Sequence, residues 1–557
     1  MKRLIECVPN FSEGRDPAVI RQITDRIEAV EGVRLLNVDP GRATNRTVVT
    51  FVGEPEPVVE AAFRAIRTAG ELIDMSRHQG EHPRMGATDV CPLVPISGIT
   101  MEETAAYARK LAERVGNELG ISVFLYEAAQ PDAARSNLAV IRAGEYEGLA
   151  DKLKLPEWKP DFGPAAFDAK RGATAIGARD FLIAYNVNLN TTSTRRANAV
   201  AFDVREAGRH KLDEKWKKMY DEDGNPVIVP GSLKAVKAIG WFIDEYGIAQ
   251  VSMNLTNIRV TPLHVAFDEV CRCAEARGLR VTGSELVGLL PRQCLLDAGR
   301  YFLEKQHRST GVAERELVKI AVRSLGLDEL APFNPDERVI EYMLRDPDEA
   351  RLVGMTITGF SEETASESPA PGGGSVAAAV GALGAALGAM VANLSSHKRG
   401  WDNRWKEFSD WAEKGQRARE ELLRLVDEDT RAFSRVMDAF GLPKGTPEEK
   451  AARSAAIQKA TRYATEIPFR VMETAFESME VMRAMVEIGL ESSVSDAGVG
   501  GLCARTAVMG AWLNVQINAA QLKDRAFADD LVARGASIAE RAQPLEGEIL
   551  RIVESRI

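Results

Sequence analysis

Residues 3–11, RLIECVPNF, read as a strand ending in a polar turn, and residues 16–30, DPAVIRQITDRIEAV, as an amphipathic helix with Asp16 at its N-cap. Two more strands follow, VRLLNV (33–38) and RTVVTFVG (46–53), split by the turn DPGRATN. A helix over 56–73, a strand over DVCPLVPI (89–96), a helix over 101–119 and a strand over ISVFLY (121–126) continue the chain. This opening order is β-α-β-β-α-β.

Working outward, residues 181–327 repeat that order in different letters, from the strand FLIAYNVNL (181–189) to the helix PRQCLLDAGRYFLEK (291–305). Two such units predict two α+β subdomains, at 1–180 and 181–327, each with helices over a mostly antiparallel sheet. The charged stretch 210–232 reads as a surface loop. Residues 328–351 read as a linker. From 352 to 557 the chain is Ala-rich and helically patterned, which predicts an all-α bundle domain. Val376–Leu394 is uncharged and carries Gly384 and Gly388, yet its Ala and Gly gain little from lipid, so it reads as the centre of a packed bundle.

The whole chain of 557 residues has 71 Lys+Arg against 81 Asp+Glu, a net charge of −10 that argues against a nucleic-acid binder. Six cysteines in this length are no disulfide framework. No apolar run of signal-peptide length follows the first residues, so a cytoplasmic setting is expected.

The chemistry concentrates in a few polar segments. SRHQGEHPRMGATDVCP (76–92) places His82 beside Glu81, Arg84 and Asp89, and an imidazole there suits general acid–base work or a hydrogen-bonded loop. His78 and His82 are four apart, but Gly80 intervenes and Pro83 pulls His82 out of the α region, so no metal is expected. Asn10, Ser12, Glu13 and Arg15 after the first strand could orient an amide or a carboxylate, or merely cap the next helix; Arg46 could pair with a substrate carboxylate or a protein one, and Asp39 is a further candidate. In the helical part, Gly373 and Ser375 open a long helix, where free N–H groups could hold an anion. In ELLRLVDEDTRAFSRVM the apolar face of Leu422, Leu425, Val426, Phe433 and Val436 includes Asp429, while Asp427 points away to solvent. A carboxyl aimed into a core has a raised pKa and suits proton transfer. Asp496, in the turn before the last apolar helix, and Asn514 on that helix complete the candidates.

Taken in order, ECVPNFSEG, NRTVVTFVG, DMSRHQGEHPRMGATDVCP, IRAGEYEGL, PDFGP, APGGGSVAA and LVDEDTRAF resemble the formimidoyltransferase-cyclodeaminase family. The resemblance implies a bifunctional folate enzyme of histidine degradation. It would move the formimino group from N-formimino-L-glutamate to N5 of tetrahydrofolate, then close 5,10-methenyl-tetrahydrofolate with loss of ammonia. By motif match His82 is the transferase acid/base and Asp429 the deaminase carboxylate. Gly163, Pro164, Ala165, Ala166, Phe167, Asp168, Ala169, Lys170, Arg171 and Gly172 lie in the folate site. Tetrahydrofolate, polyglutamylated, enters as substrate, with no metal or redox cofactor, and the resemblance implies a homo-oligomer built from dimers. The helical domain could instead be a methenyl-tetrahydrofolate cyclohydrolase or only an oligomerisation module.

Overall fold

A computed structural model describes residues 3–42, 44–80, 83–345, 351–368 and 370–557. His82 and Glu81 lie outside the described residues. The chain divides into two compact units, each described by itself. The first is the chain to Cys294 with Leu325–Met343; the second is Leu295–Ser324 with the chain from Leu344.

The first unit opens with β1 (Leu4–Cys7), β2 (Asn10–Phe11), α1 (Pro17–Glu28), β3 (Val33–Gly41), β4 (Arg46–Gly53), α2 (Pro55–Leu72), β5 (Thr88–Ser97), α3 (Met101–Leu119) and β6 (Ser122–Glu127). Asp16 caps α1 through the amides of Ala18 and Val19. Two short helices, α4 (Leu138–Ile141) and α5 (Glu145–Lys152), precede β7 (Ala173–Ala178), a strand the sequence pattern did not reveal. The seven strands run β1-β4-β2-β5-β7-β6, with β3 added on β4. The pairs β5–β7 and β6–β7 are parallel and the other pairs antiparallel. Helices α1–α3 bury one face around Ile5, Cys7, Phe51, Phe63 and Leu93. On the other face Phe124 and Tyr126 meet Ile141 and Leu149 of α4 and α5.

The second α+β repeat is β8 (Ile183–Leu189), α6 (Thr194–Val204), β9 (Arg209–His210), β10 (Ile228–Val229), β11 (Val236–Ile243), β12 (Ile248–Leu255), α7 (Leu263–Glu275) and β13 (Val281–Val287). Its sheet runs β11-β12-β8-β13, antiparallel throughout. The charged stretch is not a plain loop. Beyond β9–β10, Met219 N donates to Lys211 O and Val227 N to Met219 O at 2.9 Å, folding it into a small meander that carries Trp216, 82% exposed.

Helix α8 (Arg292–Lys305) contains the division between the units. Then come α9 (Glu314–Leu325), the single turns α10 (Pro335–Arg338) and α11 (Ile340–Met343), and α12 (Ile357–Thr364). Five long helices follow: α13 (Gly373–Ser396), α14 (Trp405–Gly441), α15 (Pro447–Ile488), α16 (Val494–Ala519) and α17 (Arg525–Glu554). In the second unit Thr310 N donates to Ser409 Oγ at 3.0 Å and Asn393 Nδ2 to Gly311 O at 2.8 Å, so residues 309–311 are seated on α13 and α14. Helix α13 has the length and apolarity of a membrane span but is the bundle's mostly buried central helix. A Cβ at Gly384 would stand 2.8 Å from Gly500 O, so glycine lets α13 and α16 touch backbone to backbone.

Candidate functional sites

In the first unit, the alternation of β1 and β2 turns Ile5, Cys7 and Phe11 into the helical core and leaves Glu6 and Asn10 on the other face. Asn10 and Asp39 both pair with Val48, from opposite sides, and Arg46 is two residues along the same strand. The structure therefore brings Asn10, Asp39 and Arg46 together on one sheet face. Burial pulls the Arg46 guanidinium below its usual pKa, while Asp89 and Asp39 pull it back up. Glu6, missed in the sequence, is 5% exposed on that face, and burial pushes its carboxyl up to about 7 against the pull of Arg179. The inward neighbours Ile5 and Cys7 were the signal that could have found it.

The loop 76–86 joins the end of α2 to β5, and the described residues on either side of 81 and 82 are held at adjacent points. Met75 N donates to Lys170 O at 2.9 Å and Ala87 N to Arg171 O at 2.8 Å. Its inside is tied as firmly. Asn45 donates to Gln79 O at 3.0 Å, and His78 Nε2 meets Asn45 O at 2.8 Å while Arg84 Nε approaches His78 Nδ1 at 3.3 Å. A carbonyl can only accept, so Nε2 carries the proton and Nδ1 accepts: His78 is neutral. Burial lowers its pKa in the same sense. His78 thus serves as a brace.

Arg84, 8% exposed, forms a bidentate pair with Glu147 at 2.9 and 2.6 Å and also reaches Glu145 at 3.3 Å. Asp89 is fully buried, accepts from Met85 N at 3.0 Å and is paired with Arg142. Both charges beside His82 in the sequence are therefore answered by the segment 142–147, a partner that sequence proximity could not show.

The segment Gly163–Gly172 supplies residues 170 and 171, on which that loop stands. Asp168 caps the amides of Lys170 and Arg171 at 3.0 Å, and Arg171 Nη1 donates to Leu119 O at 2.6 Å. Tyr146 donates to Ala169 O at 2.6 Å and lies against Phe167, its ring 6.0 Å from the Arg84 guanidinium. Lys170 and Arg171 also border a cleft of about 400 Å³ with Arg67, Glu71 and Glu118.

In the second unit, Asp429 on α14 faces the N-terminus of α13. Ser375, fully buried, has its Oγ 3.0 Å from Asp429 Oδ2, 2.9 Å from Val426 O and 3.2 Å from Thr430 Oγ1, and its amide also serves the carboxylate. Burial raises the Asp429 pKa and the Ser375 bonds oppose it only in part. Asn514 Nδ2 would be 3.5 Å from a Cβ at Gly373, so Gly373, Ser375, Asp429 and Asn514 form one cluster.

Three sequence expectations are corrected here. Asp427 is not solvated: it is 6% exposed and accepts from the amides of Leu352 at 2.7 Å and Val353 at 3.3 Å. The segment ahead of the bundle covers a helix face that a helical wheel marks as outward. Phe433, placed on the apolar face, is 40% exposed, because the buried stripe runs through Leu422, Leu425, Val426 and Ala432. Asp496 lies inside the first turn of α16 and not in a turn before it, eighteen residues and about 27 Å along the helix from Asn514. It does not join the Asp429 cluster. Among the described residues no group of His, Cys, Asp and Glu could hold a metal ion.

Comparison with known proteins completes the site description. Residues 4–179 match the formiminotransferase domain, N-terminal subdomain, and residues 184–345 the formiminotransferase domain. Residues 356–536 match the family described as formiminotransferase-cyclodeaminase. A formimidoyltransferase-cyclodeaminase of Mus musculus is 43% identical over 557 residues, covering 100% of both chains. A glutamate formimidoyltransferase of Thermoplasma acidophilum is 43% identical over 57% of this chain and 98% of its own. A methenyltetrahydrofolate cyclohydrolase of Methylorubrum extorquens is 39% identical over 36% of this chain and 97% of its own.

Proposed function

The chain belongs to the formimidoyltransferase-cyclodeaminase family, and we propose how its residues divide the two reactions of that family. It is a glutamate formimidoyltransferase joined to a formimidoyltetrahydrofolate cyclodeaminase, with tetrahydrofolate as acceptor substrate.

The transferase belongs to the α+β subdomains at 1–180 and 181–327. N5 of tetrahydrofolate attacks the formimino carbon of N-formimino-L-glutamate, and the bond from that carbon to the glutamate nitrogen breaks. One group must take the N5 proton and one must protonate the departing nitrogen; His82 does both in turn. Arg46 and Asp39 orient the substrate's polar groups, and Gly163–Gly172 line the folate. The support is the loop itself: both feet pinned beside Lys170 and Arg171, its Arg84 locked by Glu147, and Asp89 on the strand just beyond it locked by Arg142.

The cyclodeaminase belongs to 352–557. N10 adds to the formimino carbon held on N5, and that carbon then expels its nitrogen as ammonia. Asp429 accepts the N10 proton and returns a proton to the leaving nitrogen. The carrying observation is its burial against Ser375 at the head of α13; burial moves its pKa upward, the direction that lets a carboxyl give a proton as well as take one.

The partner reading is a homo-oligomer built from dimers. It is supported by a seam of apolar side chains, Leu383, Met390 and Leu394 on α13 with Val499, Leu502, Leu513 and Ile517 on α16, all exposed in the single chain. The cytoplasmic reading is supported by six cysteines with no disulfide among the described residues. A polyglutamylated folate is the proposed form of the substrate.

The test mixes protein, formiminoglutamate and tetrahydrofolate, and follows glutamate, ammonia and the absorbance of methenyl-tetrahydrofolate. His82→Ala must lose glutamate release and still release ammonia from supplied 5-formimino-tetrahydrofolate. Methenyl-tetrahydrofolate hydrolysis without ammonia release would assign the helical domain to cyclohydrolase chemistry instead.

A further inference from the structure

We propose that Lys152 is a positioning residue for formimino transfer, its ammonium fixing the segment that aims Arg142, Glu145 and Glu147 at the loop 76–86. The inference rests on that loop being the transferase site.

Lys152 ends α5, is 8% exposed, and donates to three backbone carbonyls: Val140 at 3.1 Å, Ile141 at 2.5 Å and Ala143 at 3.1 Å. Its Nζ also lies 3.9 Å from the centre of the Trp158 ring. Three N–H groups meet three acceptors, and among the described residues no carboxylate forms an ion pair with it. The three carbonyls bracket Arg142, whose guanidinium is paired with buried Asp89. Three and five residues on, Glu145 and Glu147 hold Arg84. A single cation at the base therefore sets both arms that close on the loop.

An aliphatic side chain would leave the buried Ile141 carbonyl and the part-buried Ala143 carbonyl without a donor, and the Val140 carbonyl with only the Ala143 amide at 3.3 Å. A neutral amine has two N–H groups and a lone pair, so it would leave one carbonyl unserved and turn the lone pair on it. Charge at Lys152 is therefore what aligns all three carbonyls, although burying that charge costs the fold more than the third bond returns. The charged groups around it are otherwise engaged: Arg135, over the same ring at 5.7 Å and paired with Asp161, Arg142 turned to Asp89, and Glu145 and Glu147 turned to Arg84. Burial, then Arg135, brings the Lys152 pKa down to about 8.

Stability and activity then respond to alkali with opposite signs. A lysine whose folded pKa is below its unfolded one costs stability at low pH, and that cost is relieved as pH rises from about 8 towards 10.5. Over the same range the ammonium that aims the arms disappears. A merely structural lysine would make activity follow stability.

The experiment uses full-length protein and follows glutamate release and thermal unfolding from about pH 6 to about pH 10 in wild type, Lys152→Arg and Lys152→Met. Wild-type kcat/KM is expected to fall above about pH 8 without a matching fall in Tm. Lys152→Arg, charged throughout, carries activity to higher pH. Lys152→Met loses about tenfold or more near neutral pH, the scale expected for misaligned groups, with ammonia release from supplied 5-formimino-tetrahydrofolate unchanged. An alkaline limb in Lys152→Arg that coincides with wild type overturns the proposal. If neither variant folds, the emission of Trp158, isolated as the difference between wild type and Trp158→Phe, must titrate together with wild-type activity; a flat difference overturns it too. His82→Ala run alongside separates the failures, since retained glutamate release there rejects the site and not Lys152 alone.

Discussion

Gly374 and Asp429 compete for the same space: a Cβ on the glycine would sit 2.6 Å from the carboxyl carbon of the aspartate. Asp429 can hold its place only while residue 374 has no side chain. Gly374→Ala is therefore expected to push the carboxyl aside and cut ammonia release by about a hundredfold, as a displacement near 1 Å does for an aligned group. Glutamate release should stay near wild type. Steady-state assays of the two products on one sample check this, and equal loss of both would show a folding defect instead.

Asp427 and Asp429 are both buried but should fail in different ways. Asp427→Asn weakens the anchor to Leu352 and Val353, and about 1–3 kcal/mol of stability should go with it, with ammonia release falling only as the unit loosens. Asp429→Asn should abolish ammonia release and raise stability. Its raised folded pKa means that stability declines as pH climbs above the ordinary Asp value, and the amide removes that cost. Denaturant titrations at neutral pH, compared with those near the unfolded Asp pKa, give the sign.

The two loop histidines should separate by pH. His78→Ala removes a brace, and glutamate release should drop about tenfold with its pH profile kept at neutral and alkaline pH, where His78 is already neutral. His82→Ala removes the proposed proton carrier and should cost about a hundredfold or more. In wild type, acid that protonates His78 at Nδ1 displaces the Arg84 donor, so loop stability is lost as pH falls through its lowered pKa. Amide exchange of residues 76–80 follows that loss.

Glu6 should be a liability at neutral pH. Its folded pKa of about 7 exceeds the ordinary value of 4.5, so stability falls as pH rises between those values. Glu6→Gln is expected to gain up to about 3 kcal/mol above pH 7 and nothing below the lower value. Thermal unfolding at both ends of that range decides; a gain independent of pH would place the cause in packing.

The fold was legible wherever one period ran uninterrupted. Helix α3 and the cap at Asp16 were read from the sequence because capping residues and apolar spacing agree there. Strand β7 was not, because Ala173–Ala178 is built of small residues with Thr174 its one polar side chain and is buried on both sides, and such a run has no alternation to detect. The site divides in the same way. Asp429 was recognisable from its own helix, since neighbours at helical spacing share its face. Asp427 was not, because what buries it is a segment seventy-four or more residues away in the chain. Arg84 and Asp89 could be singled out, but their partners at 142–147 come from another layer of the sheet and carry no local signal.

The Ser375 hydroxyl has one hydrogen and three oxygens in reach of it. With Asp429 ionised, that hydrogen points at the carboxylate. With Asp429 protonated, the carboxyl can donate to Ser375 instead, while the serine hydrogen swings to Val426 O. Either state is served by turning a single torsion, a motion of picoseconds to nanoseconds, with every heavy atom left in place. As the proposed proton carrier, Asp429 can change protonation state twice in each turnover with little reorganisation of its surroundings, and the rigidity of the helix pair around it is no obstacle to the proton's movement.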